Sequence, residues 1–78
     1  MPTILIVEGF RFFFYSNDHL PIHVHVEKNN KTAKFTITPI ELVASKRFNA
    51  QELRKIRLLI EGHSELIIAK WNEYFNNQ

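Results

Sequence analysis

The stretch IHVHVEKNNKTAKFTI, residues 22–37, decides how this chain folds. Two runs of alternating apolar and polar residues flank Asn29-Asn30, and alternation with period two marks a strand with one buried face. Asparagine tolerates the positive φ that a two-residue turn requires, so the two runs pair back on each other as a hairpin. Setting Lys28 opposite Lys31 brings Val26 against Ala33, Val24 against Phe35 and Ile22 against Ile37. The same register sets His25 across from Lys34 and His23 across from Thr36. A slip of one residue would send every apolar side chain to the opposite face, so the pattern specifies the pairing.

Towards the N-terminus, ILIV and FRFFFYS flank Glu8-Gly9, a tight glycine-containing connection suited to a second hairpin. Its alternation puts Leu5, Val7, Phe10, Phe12 and Phe14 on one face, the expected core. Ile4, Ile6, Arg11, Phe13 and Tyr15 fall on the other. Towards the C-terminus, IELVAS is too short to assign. Asn49 followed by Glu52 has the form of a capping box and opens a helix expected to run to about Glu61. Leu53, Ile56 and Ile60 form its apolar stripe, with Leu59 at the margin. Gly62 is expected to supply a left-handed helix end. A second helix from about Ser64 to Phe75 carries Ile67, Ile68, Trp71, Tyr74 and Phe75 on one arc. Leu58 and Leu66 lie off these stripes, four residues either side of Gly62, and either touch across the helical hairpin or meet a partner.

The expected fold is therefore α+β, in one domain. A small antiparallel sheet of two β-hairpins occupies residues 1–38, and an αα-hairpin in residues 49–76 covers one of its faces.

With 78 residues and 13% aromatics, the chain builds its core largely from rings. It has no cysteine, which excludes disulfides, thiolate metal sites and a cysteine nucleophile. A metal site has to use His, Asp or Glu, and no cofactor is expected. MPTILIVEG has neither the preceding positive charge nor the cleavage site of a signal peptide, and it is too short to span a membrane. A soluble, cytoplasmic protein is expected. The formal net charge of +2 is uneven, because Lys46, Arg47, Arg54, Lys55 and Arg57 crowd one segment. Such a cluster either meets phosphate or forms a solvated helix face.

If the helices cover the face carrying Leu5, Phe12, Val24 and Phe35, the opposite face presents Arg11, Phe13, Tyr15, His23, His25, Glu27, Lys34 and Thr36. Three chemistries compete for it. Alternate histidines on a strand lie about 7 Å apart on one side and can converge on a metal, with Glu27, Asp18 or His19 as a third ligand. Metal-free acid–base cleavage of RNA is the second. His23 and His25 would serve as base and acid, Tyr15 would protonate or orient, and Arg11 or Lys34 would meet the developing phosphorane charge. The third is binding alone: bases stack on Phe13 and Tyr15 while cations follow the backbone, or the face meets another protein. Exposed Ile4, Ile6 and Phe13 would favour a homo-oligomer or a partner protein there. Against all three stands the plain reading that His23 and His25 are half-buried strand residues without a ligand. His19, in a loop, and His63, at the interhelical turn, have less claim to a role.

The segments GFRFFFYSN, PIHVHVEK, AKF, PIEL and KWNEYF, in that order and preceded by MPTILIVEG, resemble the bacterial domain-of-unknown-function 4160 family across nearly the whole chain. His23 and His25 match that family's paired histidines. The family's Pro-rich approach to them, often two consecutive prolines, is reduced here to Pro21-Ile22. The resemblance implies a small protein encoded beside a second small protein of unknown function, in an arrangement similar to a toxin–antitoxin module. The cognate partner would then come from the adjacent gene. The expected role is a toxin-like component, with an RNase mechanism as its sharpest form. The alternatives are a non-catalytic protein- or nucleic-acid-binding module and a metal site of His23, His25 and Glu27.

Overall fold

The computed structural model describes residues 3–75. Five strands follow one another as β1 (Thr3–Val7), β2 (Phe10–Phe13), β3 (His23–Lys28), β4 (Lys31–Ile37) and β5 (Ile40–Lys46), and a helix, α1 (Ala50–Tyr74), closes the chain. Spatial order equals chain order, every neighbouring pair is antiparallel, and the sheet is a five-stranded meander. The β1–β2, β3–β4 and β4–β5 connections have two residues each, because each strand turns straight back on its predecessor, whereas residues 14–22 join β2 to β3. Glu8 and Gly9 both have positive φ, 53° and 84°, as the β1–β2 turn requires. Asn29 at φ 56° begins the β3–β4 turn. The β3–β4 register is the one the alternation dictates, from Lys28↔Lys31 to His23↔Thr36, and the Ile37 amide donates to the Ile22 carbonyl at 3.3 Å just beyond it.

The stretch IELVAS forms the greater part of a fifth strand. Its pairing with β4 shifts between Lys34 and Phe35, where Ala44 and Leu42 are the successive partners. Val43 is the extra residue of a bulge, and the broken alternation explains why so short a run gives no clean strand signal. A similar irregularity in β1 leaves Ile4 between the paired residues Thr3 and Leu5. Ile4, expected on the open face, consequently packs against the core.

One sheet face is buried beneath α1. Phe10, Phe12, Val24, Val26, Ala33, Phe35 and Ile37 meet Ile56, Ile60, Ile67 and Trp71 of the helix, while Phe48 closes the end over Phe10 and Phe14 packs edge-on to Trp71. Asn49 caps the helix. Its side chain accepts from the Glu52 amide, and the Glu52 carboxylate accepts from the Asn49 amide, so the expected capping box is present. Lys31 Nζ lies 2.6 Å from the same carboxylate and ties the helix start to β4.

The helical cover is one long helix and not an αα-hairpin. The chain departs from helical geometry only at His63 (φ −123°, ψ 16°), which makes a kink and not a reversal. Gly62 has no positive φ and terminates nothing. The reason lies in the phase of the apolar positions. Leu53, Ile56, Ile60, Ile67, Trp71 and Phe75 keep one phase across Gly62, with Ser64 at the intervening step, so one stripe serves one sheet face. Leu58 and Leu66 therefore do not meet across a turn, and both remain exposed. Residue 76, included in the expected helical hairpin, lies outside the described residues, as do Met1 and Pro2. Among the described residues, no helix is long and apolar enough to cross a membrane.

Candidate functional site

The two histidines of β3 lie beside the loop that joins β2 to β3. That loop is built on a tight exchange: the Asp18 amide donates to the Tyr15 carbonyl at 3.1 Å, and the Tyr15 amide donates to Asp18 Oδ2 at 2.8 Å. Aspartate suits such a turn because its carboxylate can bond to nearby backbone. The turn aims the rest of the carboxylate at β3. His25 Nε2 lies 3.1 Å from Asp18 Oδ2 and 3.4 Å from Oδ1, and His23 Nε2 lies 3.2 Å from Oδ1.

The two imidazoles, although on the same side of one strand, are not equivalent. His23 is buried, with its ring between Trp71 at 5.3 Å and His25 at 5.1 Å between centroids. Its Nδ1 lies 2.9 Å from the Pro21 carbonyl oxygen, and only an N–H can bond there, so Nδ1 carries a proton. Nε2 is buried and, among the described residues, has no hydrogen-bond partner, although Asp18 Oδ1 lies 3.2 Å away. His25 is partly exposed and stacks on Phe13 at 5.5 Å, with Tyr15 edge-on at 4.5 Å.

Burial would raise the Asp18 carboxyl, but the Tyr15 amide and the two imidazoles outweigh it and hold the carboxyl below its ordinary range. Burial pushes the His25 imidazole down, against the pull of Asp18, and the charges of His23 and Lys34 add to the lowering. Asp18 is thus an anion at neutral pH beside a His25 that favours its neutral, lone-pair-bearing form.

Among the described residues, the group able to converge on one ion is Asp18, His23 and His25, whose ligand atoms all lie within 4.8 Å of one another. Glu27 is not a member. It pairs with Arg11 at 2.8 Å across β2 and β3. His19, the other loop candidate, is exposed, and its Nδ1 lies 3.3 Å from the Leu20 carbonyl.

The remaining expected site residues divide. Arg11 bonds Glu27 and Thr3 and lies 4.4 Å over the Phe13 ring. Phe13 is 3% exposed beneath Arg11, Tyr15 and His25, so it is a floor for the site and offers no open face to stack a base. Tyr15 is exposed and borders, with His25, Thr32, Lys34, Ser45 and Lys46, a cleft of about 200 Å³. Lys46 reaches this cleft because β5 lies beside β4, a neighbour visible only once IELVASK is recognised as a strand. A second, larger cleft of about 770 Å³ lies on the other side of Asp18, walled by Ser16, His19, Leu20, Trp71 and Phe75. The cluster therefore stands between two openings, with His25 bordering one and Asp18 the other.

Residues 9–72 match the family model described as Domain of unknown function (DUF4160). The chain belongs to the DUF4160 family. No curated protein and no solved structure matches it. The match takes in β2 through most of α1, so the paired histidines, the Asp18 loop and Trp71 all lie within the DUF4160 region.

Proposed function

We propose that this DUF4160 domain is the toxin-like component of a two-protein module and cleaves RNA at the cleft beside His25. The observation that supports this reading is the position of His25. One side of its ring meets the anionic Asp18, and the residue also borders an opening that carries Lys34 and Lys46. Neither lysine is in an ion pair among the described residues. Two cations without an ion pair among the described residues, at one opening, suit an anionic substrate whose charge grows during reaction.

In the proposed reaction, the 2′-oxygen of a ribose bonds to the adjacent phosphorus and the P–O5′ bond breaks. The products are a 2′,3′-cyclic phosphate and a 5′-hydroxyl. The Asp18–His25 cluster provides the base that receives the 2′-hydroxyl proton, the departing oxygen takes its proton from Tyr15 or solvent, and Lys34 and Lys46 balance the phosphorane charge. Arg11 is committed to Glu27, and buried His23 holds the cluster together without reaching the cleft. This assignment differs from the pair of strand histidines as acid and base.

The test is induction of this chain alone in bacterial cells, beside a His25→Ala version shown by circular dichroism to be folded. Growth arrest with cleaved RNA from the native chain, and neither from the variant, is expected. Normal growth and intact RNA in both would overturn the reading.

A second reading, a partner-binding module without catalysis, is favoured by β5. This edge strand exposes Leu42 at 45% and Val43 at 53% and, among the described residues, has a strand neighbour on one side alone. The cognate small protein would add a strand there. A complex that forms equally well with the His25→Ala version and is lost with a proline at Val43 is the expected sign of that role.

A further inference from the structure

We propose that Asp18, His23 and His25 bind one divalent first-row transition ion, with zinc the best fit. This deepens the reading above by naming what its cluster holds, and it depends on that reading only in sharing the site.

The orphaned nitrogen of His23 carries the inference. With Nδ1 turned to the Pro21 carbonyl at 2.9 Å, the ring has Nε2 left to offer, 3.2 Å from Asp18 Oδ1. The His23 side chain is only 7% exposed. A cation between the atoms satisfies both.

The carboxylate-to-imidazole distances agree with an ion, and all three ligand atoms lie within 4.8 Å of one another. Zinc bonded at 2.0–2.1 Å in tetrahedral geometry sets its ligand atoms about 3.3 Å apart. The carboxylate-to-imidazole separations here are 3.1–3.4 Å. The support around the ligands agrees as well. A metal-bound imidazole generally donates its second N–H to a carbonyl or carboxylate, which fixes ring and tautomer, and His23 does so to Pro21. Asp18 is held by the Tyr15 amide. Two imidazoles and one carboxylate without sulfur suit a borderline divalent ion and leave a fourth position for water. In the proposed RNA cleavage, Asp18, His23 and His25 would hold the ion, which would supply Lewis-acid activation of water.

The test is calorimetric titration of Zn²⁺ into the full chain, purified without a histidine tag and stripped with chelator, with Co²⁺ absorption as a second readout of tetrahedral coordination. One Zn²⁺ per chain is expected. Asp18→Asn, nearly isosteric and still able to accept from the Tyr15 amide, should weaken binding at least tenfold, as should His23→Gln, while His63→Ala should leave it unchanged. No stoichiometric uptake, or unchanged affinity in folded Asp18→Asn, would overturn the site even if His23→Gln fails to fold. RNA cleavage by metal-free protein that takes up no Zn²⁺ would overturn the site and leave the proposed reaction standing. Stoichiometric Zn²⁺ without RNA cleavage would support the site while the reaction falls.

Discussion

Arg11 and Lys46 are both cations near the histidines, yet their surroundings give them opposite roles. Arg11 is held by Glu27 and Thr3 and spread over Phe13, so its charge is answered within the protein. Lys46 lines the cleft and is in no ion pair among the described residues. Arg11→Ala should leave affinity for a single-stranded oligoribonucleotide within about twofold. It should cost no more than about 1 kcal/mol of stability, the range for a partly exposed pair. Lys46→Ala should weaken binding and flatten the log–log salt dependence by about 0.7, the contribution of one phosphate contact to a single strand. Titrations at several salt concentrations decide the matter; a changed slope for Arg11→Ala would show that its guanidinium leaves Glu27 to meet phosphate. The sequence made the face of each strand residue legible, because alternation fixes which side a side chain takes. It did not reveal what would cover that side. Phe13 falls on the predicted open face and is nevertheless buried, since Arg11, Tyr15 and His25 close over it. Asp18 was legible only as one of several third ligands, because a loop of nine residues between Phe13 and His23 has no period from which its path can be read.

At the scale of elements, the first four strands followed from alternation and turn chemistry, the fifth did not, and the helix start followed from Asn49 and Glu52. The miss at Gly62 came from weighing one residue's conformational freedom above the phase of its neighbours. Glycine permits a left-handed end but does not require one. An apolar stripe that resumes in phase on both sides of Gly62, from Leu53 to Trp71, favours one continuous face. Gly62→Ala tests this directly. With helical backbone and no atom within 4 Å of the added Cβ, alanine should stabilise the protein by about 0.5–1 kcal/mol, as in an ordinary helix interior. Gly9→Ala should do the reverse, because φ is +84° there and the new Cβ would lie 3.1 Å from Lys28 Cε. Denaturant midpoints measured side by side give the signs. Destabilisation by Gly62→Ala would mean that the chain does turn at that glycine in solution.

For the whole molecule, the meander makes stability unequal across the sheet. β3 has a paired strand on both sides and carries Val24 and Val26, both fully buried, whereas β1 and β5 each have one neighbour. An edge strand can detach by breaking one ladder, but β3 can open only by breaking two and exposing the aromatic core. Native-state amide exchange should therefore show its slowest protons in β3 and the adjoining half of β4, at the free energy of global unfolding. The hydrogen-bonded amides of β5 should exchange through a cheaper local opening, least sensitive to denaturant. The β2–β3 loop occupies the informative middle. Its Tyr15 amide is held only by the Asp18 carboxylate, so without an ion it should exchange through local opening. With Zn²⁺ at about a hundred times its dissociation constant, linkage adds about 2.7 kcal/mol to the bound form. Because Asp18 would then be fastened to two residues of the slowest strand, the Tyr15 amide should move from the fast class towards the global one while β5 stays where it was. Equal slowing of every amide would place the ion's grip on the whole fold and not on the loop. No slowing at Tyr15, with Zn²⁺ bound, would mean that Asp18 is not among the ligands.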